Sequence, residues 1–472
     1  MSLMEPTAHP LQALFEAQRA ARWRIAATGP EVRRCKLKAL LDALMARRSE
    51  AQAALAADFR KSPEEVDLTE LYPVISELKA TIRHLALWME PRWVPTPLAF
   101  SGSTATLVTE PKGVVLIISP WNYPLYLALA PLVSAIAAGN CCIIKPSEIS
   151  AHASGFLVSL LAGLFPVEEV AVAEGGADTA QALLALPFDH VFFTGSPAIG
   201  KLVMAAAARN LASVTLELGG KSPVLVAEDA DLEVAARRIA WGKFINAGQT
   251  CVAPDYVLVH EAVHDRLVEA LARAIRHFYG ETPEARRASP DFARIIHGRH
   301  LERLQGLLAG SGGQVVLGGE SDPVTNYLAP TLLTGVSDTS EMMREEIFGP
   351  VLPVRKVASL EEAMAFVNAR PKPLALYVFS GSRRRAEAVL AGTTSGGACI
   401  NDTVLHFAHP GLPAGGVGNS GFGRAHGHEG YLDFSNQRSV LRQRSRFSFL
   451  RLLHPPYRGF ARRMIDLTLR YF

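Results

Sequence analysis

The run Gly113-Val114-Val115-Leu116-Ile117-Ile118-Ser119-Pro120-Trp121-Asn122-Tyr123-Pro124 opens a stretch with no charged side chain until Lys145. Its apolar content imitates a membrane span, which needs about 20 residues without strong breakers. Pro120, Pro124 and Pro131 interrupt it, and Asn122 and Asn140 add polar groups. The pattern instead predicts a strand (113–119), a turn, a buried helix (125–138) and a second strand (141–145). Strands apolar on both faces and separated by helices belong to a parallel sheet covered on both sides.

Downstream the alternation continues with helix 150–164, strand 168–173, helix 178–185, strand 189–194, helix 198–209 and strand 213–218. After Gly219-Gly220 a second series begins: a strand at 224–226, a helix over 231–245, a strand at 256–260 and a helix over 261–279. It runs in the same style to residue 400. Upstream, apolar spacings of three and four predict helices over 8–58 and 62–90, followed by a proline-rich segment and β-formers at 104–109. No internal repeat and no low-complexity segment interrupts the chain. The expected fold is α/β, with two doubly wound parallel-sheet domains.

The whole composition agrees with a folded enzyme-sized chain. At 472 residues, ~100–200 residues per domain gives two or three domains. With 49% apolar and 20% charged residues, the chain is not of the disordered class. Five cysteines exclude a disulfide scaffold and fit a reducing compartment. Met1 to Arg24 holds Glu5, Glu16, Arg19, Arg22 and Arg24 without a signal-peptide apolar core, so a cytoplasmic protein is expected. A net charge of +3 gives no argument for nucleic acid. The charge is uneven, because residues 441–472 hold eight Arg and one Asp.

Six motifs carry the chemistry: Pro120 to Pro124, Lys145-Pro146-Ser147-Glu148, Thr194-Gly195-Ser196-Pro197 to Lys201, Leu216-Glu217-Leu218-Gly219-Gly220, Gly248-Gln249-Thr250-Cys251 and Glu345-Glu346-Ile347-Phe348-Gly349-Pro350. In this order they resemble the aldehyde dehydrogenase superfamily, class 3 branch, over residues 10–440. The resemblance implies an NAD(P)-dependent oxidation of an aldehyde to the carboxylic acid.

Each motif also has its own physical reading. Cys251 supplies a thiolate of the kind that turns an aldehyde carbonyl into a tetrahedral thiohemiacetal; an isolated cysteine is more often inert core. Glu217 lies in a strand of Val, Thr and Leu, where burial would raise its pKa towards general-base duty unless it turns to solvent at the strand end. The resemblance makes it the base that activates the hydrolytic water. Asn122 is a turn former, or an amide donor to an oxyanion together with the Cys251 N–H. Ser196 and Pro197 suit the start of a helix, whose free N–H groups bind phosphate. By resemblance, Trp121, Gly195, Ser196, Gly200 and Leu218 bind the dinucleotide. Lys145 and Glu148 hold the adenosine ribose, and Glu346 and Phe348 position the nicotinamide ribose and ring. Lys145 tolerates a 2′-phosphate, so the cofactor is NAD or NADP.

The histidines 406, 409, 426 and 428 lack metal-ligand spacing, and no metal is expected. Ala414 stands where the family usually has Phe, removing an aromatic wall and pointing to medium or long-chain aliphatic or aromatic aldehydes. Cys35, Cys141, Cys142 and Cys399 are expected in the core.

The expected organisation is a dinucleotide-binding domain (8–90 and 108–219), a catalytic domain (220–400) and a β bridging element (91–107 and 425–440). The bridge is expected to pair strands at 104–109 and near 431–435, and class 3 resemblance implies a homodimer. The basic tail (441–472) interleaves arginines with apolar residues and predicts an amphipathic helix over 459–472. Its stripe of Phe460, Met464, Leu467 and Tyr471 suits either docking on the enzyme or peripheral contact with an anionic membrane. The competing reading of the chain is a non-catalytic binding or structural protein on the same fold.

Overall fold

The computed structural model describes residues 8–97, 100–444 and 454–471. Its first sheet has six strands in the order Gly421–Phe422, Ser213–Leu218, His190–Gly195, Val114–Ile118, Cys141–Lys145 and Val170–Val172. All pair in parallel except the two-residue strand Gly421–Phe422. The second sheet has seven strands, in the order Gln314–Leu317, Thr331–Thr334, Val351–Val357, Tyr256–His260, Pro223–Val226, Ala375–Phe379 and Gly397–Ile400. Only its edge strand Gln314–Leu317 is antiparallel. Every residue of Val114–Ile118, Cys141–Lys145, Pro223–Val226 and Ala375–Phe379 is buried, as covered parallel strands require.

The charge-free stretch folds inward. All of helix Tyr126–Ala138 is buried, and Pro131 sits inside it without ending it. The expected helix 125–138 already includes Pro131, and the helix is a core element wrapped by Leu37, Leu78 and Ile117. Among the described residues no helix is long and apolar enough to cross a membrane. The N-terminal region divides into Ala8–Ala26, Pro30–Ala46 and Arg48–Phe59, then Pro63–Val66, a π-turn at Asp67–Leu71 and Tyr72–Trp88.

The third sheet corrects the sequence reading. Tyr431 lies in helix Gly427–Asp433, and the expected strand near 431–435 instead runs Ser435–Gln443. It pairs antiparallel with Ser103–Pro111 along its whole length, from Ser435 opposite Pro111 to Gln443 opposite Ser103. Residues 441–443, read as tail, thus belong to the strand. Its sequence SNQRSVLRQ is polar on both faces, so no apolar alternation marks it.

Helix Phe460–Tyr471 forms in the basic tail, and its stripe faces outward, with Phe460, Leu467 and Tyr471 exposed by 61%, 49% and 72%. Met464, the remaining residue of the stripe, is half-buried. The Arg and apolar residues of 445–453 lie outside the described residues.

Candidate active site

Open α/β sheets place ligands beyond the carboxyl ends of their strands. Val114–Ile118 delivers Trp121 and Asn122 there, His190–Gly195 delivers Gly195 and Ser196, and Ser213–Leu218 ends on Glu217 and Leu218. These side chains line one cavity of about 1020 Å³, and Cys251, Glu346 and Phe348 close it from the second sheet's side. A second cavity of about 130 Å³ reaches Cys251 from another direction, walled by Tyr72, Tyr126, Trp241, Ile245 and Phe407. Cys251 is half-buried where the two meet.

The nucleophile's loop and the Asn122 turn are bonded together. Asn122 Nδ2 donates to the Gln249 carbonyl at 3.0 Å, and Tyr123 and Thr250 share a hydroxyl hydrogen bond of 2.7 Å. Burial pushes the Cys251 thiol up to about 12, and the nearby Glu346 and Glu217 carboxyls add to the shift. Burial thus disfavours the thiolate, the form that attacks a carbonyl. Composition cannot show the two neighbouring carboxyls that disfavour it.

Glu217 is only 6% exposed, and neither carboxyl oxygen has a hydrogen-bond partner among the described residues. Burial, with Asp433 adding, raises its pKa to about 8, against a lowering by Arg424. Glu346 is raised to about 8 as well, by burial first and Asp255 next, and its Oε1 is also without a partner. Both carboxyls line the same cavity as the thiol. A Cβ at Gly219 would displace the Glu346 carboxylate, which packs against this glycine. Phe348 adopts a left-handed φ of +52°, and its ring meets Trp121 edge-on at 5.4 Å.

Ser196 caps helix Pro197–Ala208, accepting from the Ile199 N–H at 3.4 Å, and the helix start faces the large cavity. Gly200 does not line the cavity; it lets the helix approach Leu218, whose side chain a Cβ would meet at 2.7 Å. Lys145 and Glu148 also lie outside the cavity lining. They form an ion pair of 2.8 Å after the neighbouring strand Cys141–Lys145, with Glu148 partly exposed and its carboxyl held below the usual range.

Ala414 pairs its backbone with the buried Ala425, the residue before His426. It is 5% exposed, and its methyl group lines neither of the two cavities. Cys35 is exposed on its helix and not core, whereas Cys141 and Cys142 are fully buried. Cys399 is half-buried, 3.2 Å from His406 Nδ1. His426 bonds Tyr126 at 2.9 Å and His428 stacks on Tyr431.

The model of the "Aldehyde dehydrogenase family" matches residues 5–440. The chain belongs to this family. It is 46% identical over 448 residues to aldehyde dehydrogenase family 3 member B1 of Rattus norvegicus, covering 95% of this chain and 94% of that protein. It is 45% identical over 428 residues to the 4,4'-diaponeurosporen-aldehyde dehydrogenase of Staphylococcus aureus, covering 90% and 92%. The substrate-bound structure of Staphylococcus aureus AldH superposes with a TM-score of 0.93 at 42% identity, covering 97% of this chain and 99% of that one. The protein is an oxidoreductase that converts an aldehyde to the carboxylic acid with NAD or NADP, and a non-catalytic role on this fold is not favoured.

The large cavity of this aldehyde dehydrogenase fits a dinucleotide. A helix N-terminus and the cations Lys201, Arg370 and Lys372 face the same space as the orphaned Glu346 oxygen. Sequence reasoning missed those cations, and it missed His300 and Arg303. His300 Nε2 lies 2.8 Å from the Phe348 carbonyl, and the Arg303 guanidinium donates to the carbonyls of Glu346 and Ile347. Their only sequence trace is a cationic, His-containing helix 298–309 that no motif singles out.

Proposed function

We propose that Cys251 is the nucleophile, Asn122 an oxyanion donor and Glu217 the base of hydrolysis. The observation that carries this reading is the position of Cys251 at the junction of a charged cavity and an apolar one. The Cys251 sulfur adds to the aldehyde carbon while its proton passes to Glu217 or Glu346 in the ionised, carboxylate form. Asn122 and the Cys251 N–H steady the oxyanion of the thiohemiacetal. A bound dinucleotide supplies the acceptor for the hydride released as the thioester forms. Glu217, once ionised, takes a proton from water, which attacks the thioester carbonyl and frees the acid and the thiol.

Ser196, with Gly195 and the cations Lys201 and Lys372, would hold the pyrophosphate. Glu346 would hold the nicotinamide ribose, Phe348 and Trp121 would border the ring, and the Lys145–Glu148 pair would receive the adenosine ribose. The domain assignment follows: 8–90 and 108–219 bind the dinucleotide, and 220–400 carry the nucleophile.

The aldehyde enters through the narrow cavity. Its walls of Tyr, Trp, Ile and Phe favour medium or long-chain aliphatic and aromatic aldehydes over acetaldehyde. A panel of acetaldehyde, decanal and benzaldehyde with NAD and NADP in parallel, read by reduced-nicotinamide absorbance, tests this. Decanal and benzaldehyde should show the higher kcat/KM; a preference for acetaldehyde overturns it.

The enzyme acts as a cytoplasmic homodimer that touches anionic membranes through its tail. The three-stranded sheet with its exposed strand Ser435–Gln443 offers the subunit contact. The outward stripe of helix Phe460–Tyr471, flanked by Arg462, Arg463 and Arg470, supports the membrane contact, at ~1 kcal/mol per basic group near the surface. Full-length chain should sediment with anionic liposomes at low salt, and a chain ending at Arg444, which keeps the whole strand Ser435–Gln443, should not. Both staying in the supernatant would refute the membrane contact.

A further inference from the structure

The loop that ends in Cys251 begins with three consecutive left-handed residues: Asn246 (φ 50°, ψ 31°), Ala247 (φ 50°, ψ 35°) and Gly248 (φ 74°). A Cβ at Gly248 would collide with the Gly349 carbonyl, so this turn presses against the loop that carries Glu346 and Phe348. Asparagine tolerates the left-handed region better than most residues, but alanine does not, so the surroundings must hold the turn.

The side chain of Asn246, 0% exposed, does much of that holding. Its Nδ2 donates to the Asn122 carbonyl at 2.8 Å and to the Gln249 carbonyl at 3.1 Å. The second acceptor also receives Asn122 Nδ2. The Asn246 N–H is taken by Glu65 Oε1 at 2.7 Å, and its carbonyl by Gln249 Nε2 at 2.9 Å. Gln249 in turn donates to the Arg294 carbonyl at 3.0 Å and accepts from the Ile296 N–H at 3.0 Å. Two donors converging on one carbonyl also settle which way both amides face, because a reversed amide would set oxygen against oxygen.

We propose that Asn246 is a positioning residue for oxyanion stabilisation, locking the Asn122 turn to the Cys251 loop. One N–H of Asn122 stays on the Gln249 carbonyl, and the other is left for the cavity that Asn122 shares with Cys251. The proposal rests on the assignment of Asn122 as oxyanion donor. Asn246 itself touches neither substrate nor cofactor and acts through Asn122.

A double-mutant cycle on the full-length enzyme tests it, with Asn246→Gly, Asn122→Ala and the double variant. Glycine keeps the left-handed backbone and removes only the side-chain clamp. Asn246→Gly should lower kcat by ~10- to 100-fold and leave dinucleotide affinity within about twofold, since the lost term is transition-state positioning. The double variant should be no slower than Asn122→Ala alone, as expected of residues acting as one unit. Losses that multiply, or Asn246→Gly within about twofold of wild type, overturn the proposal. If the glycine variant does not fold, Asn246→Asp gives the same readout: it keeps the shape but faces both carbonyls with an acceptor. Full activity of Asn122→Ala would instead remove the assignment of Asn122 itself, and is thus distinguishable from failure of the clamp alone.

Discussion

The two cavities that meet at Cys251 differ in every physical respect. One is wide and lined with glycines, a helix start and charged side chains of both signs. The other is narrow and walled almost wholly by aromatic and aliphatic groups. A charged, hydrated dinucleotide belongs in the first, where cations and free N–H groups replace its water. On the proposed reading a desolvated aldehyde chain enters the second, where apolar burial is the main attraction. Division of binding between the two sides leaves the reacting carbon at the thiol they share.

The most drastic way to break that comparison is to remove the shared group. Cys251→Ser should cut turnover by at least ~10³-fold, while dinucleotide binding, measured by fluorescence titration, stays near wild type. Turnover above about a hundredth of wild type would mean that the junction is not where chemistry occurs.

Next comes Glu217, the free carboxyl on the wide side. With its pKa near 8, it is mostly protonated at neutral pH, and its base form grows as pH rises. Steady-state turnover should therefore climb through pH 8. Glu217→Gln should keep the initial burst of reduced dinucleotide, lose ~10²-fold or more in steady-state rate, and lose that alkaline limb. A limb that survives would assign the titration to Glu346, whose pKa lies in the same range.

Phe407→Ala probes the narrow side alone. It should raise KM for decanal by ~10-fold through lost apolar contact, with little change for acetaldehyde or for the dinucleotide. The smallest effect is expected of Lys372→Ala on the wide side. It should raise KM for the dinucleotide ~3- to 10-fold, less at high salt, and leave aldehyde preference unchanged. If either variant altered both substrates equally, the division between the cavities would be wrong.

The central sheet was legible because covered parallel strands must be apolar, as in Val114–Ile118 and Pro223–Val226. Cys251, Glu217 and Asn122 could be singled out as candidates through six motifs in family order, since a lone thiol, strand-end carboxylate or turn amide each has a commoner structural use. Strand Ser435–Gln443 was not, since its pairing is set by backbone register with Ser103–Pro111 and not by side-chain pattern. Asn246 escaped notice because nothing in a sequence shows a left-handed turn whose acceptors come from residue 122.

The account's central claim is that the aldehyde becomes covalently attached to Cys251 and that Glu217 releases it. Intact-protein and peptide mass spectrometry of Glu217→Gln, mixed with decanal and NAD and quenched in acid, tests this most directly. The account predicts a mass gain of one decanoyl group per subunit, located on the peptide that contains Cys251. No adduct during a measured burst, or an acyl group on any other residue, would contradict it.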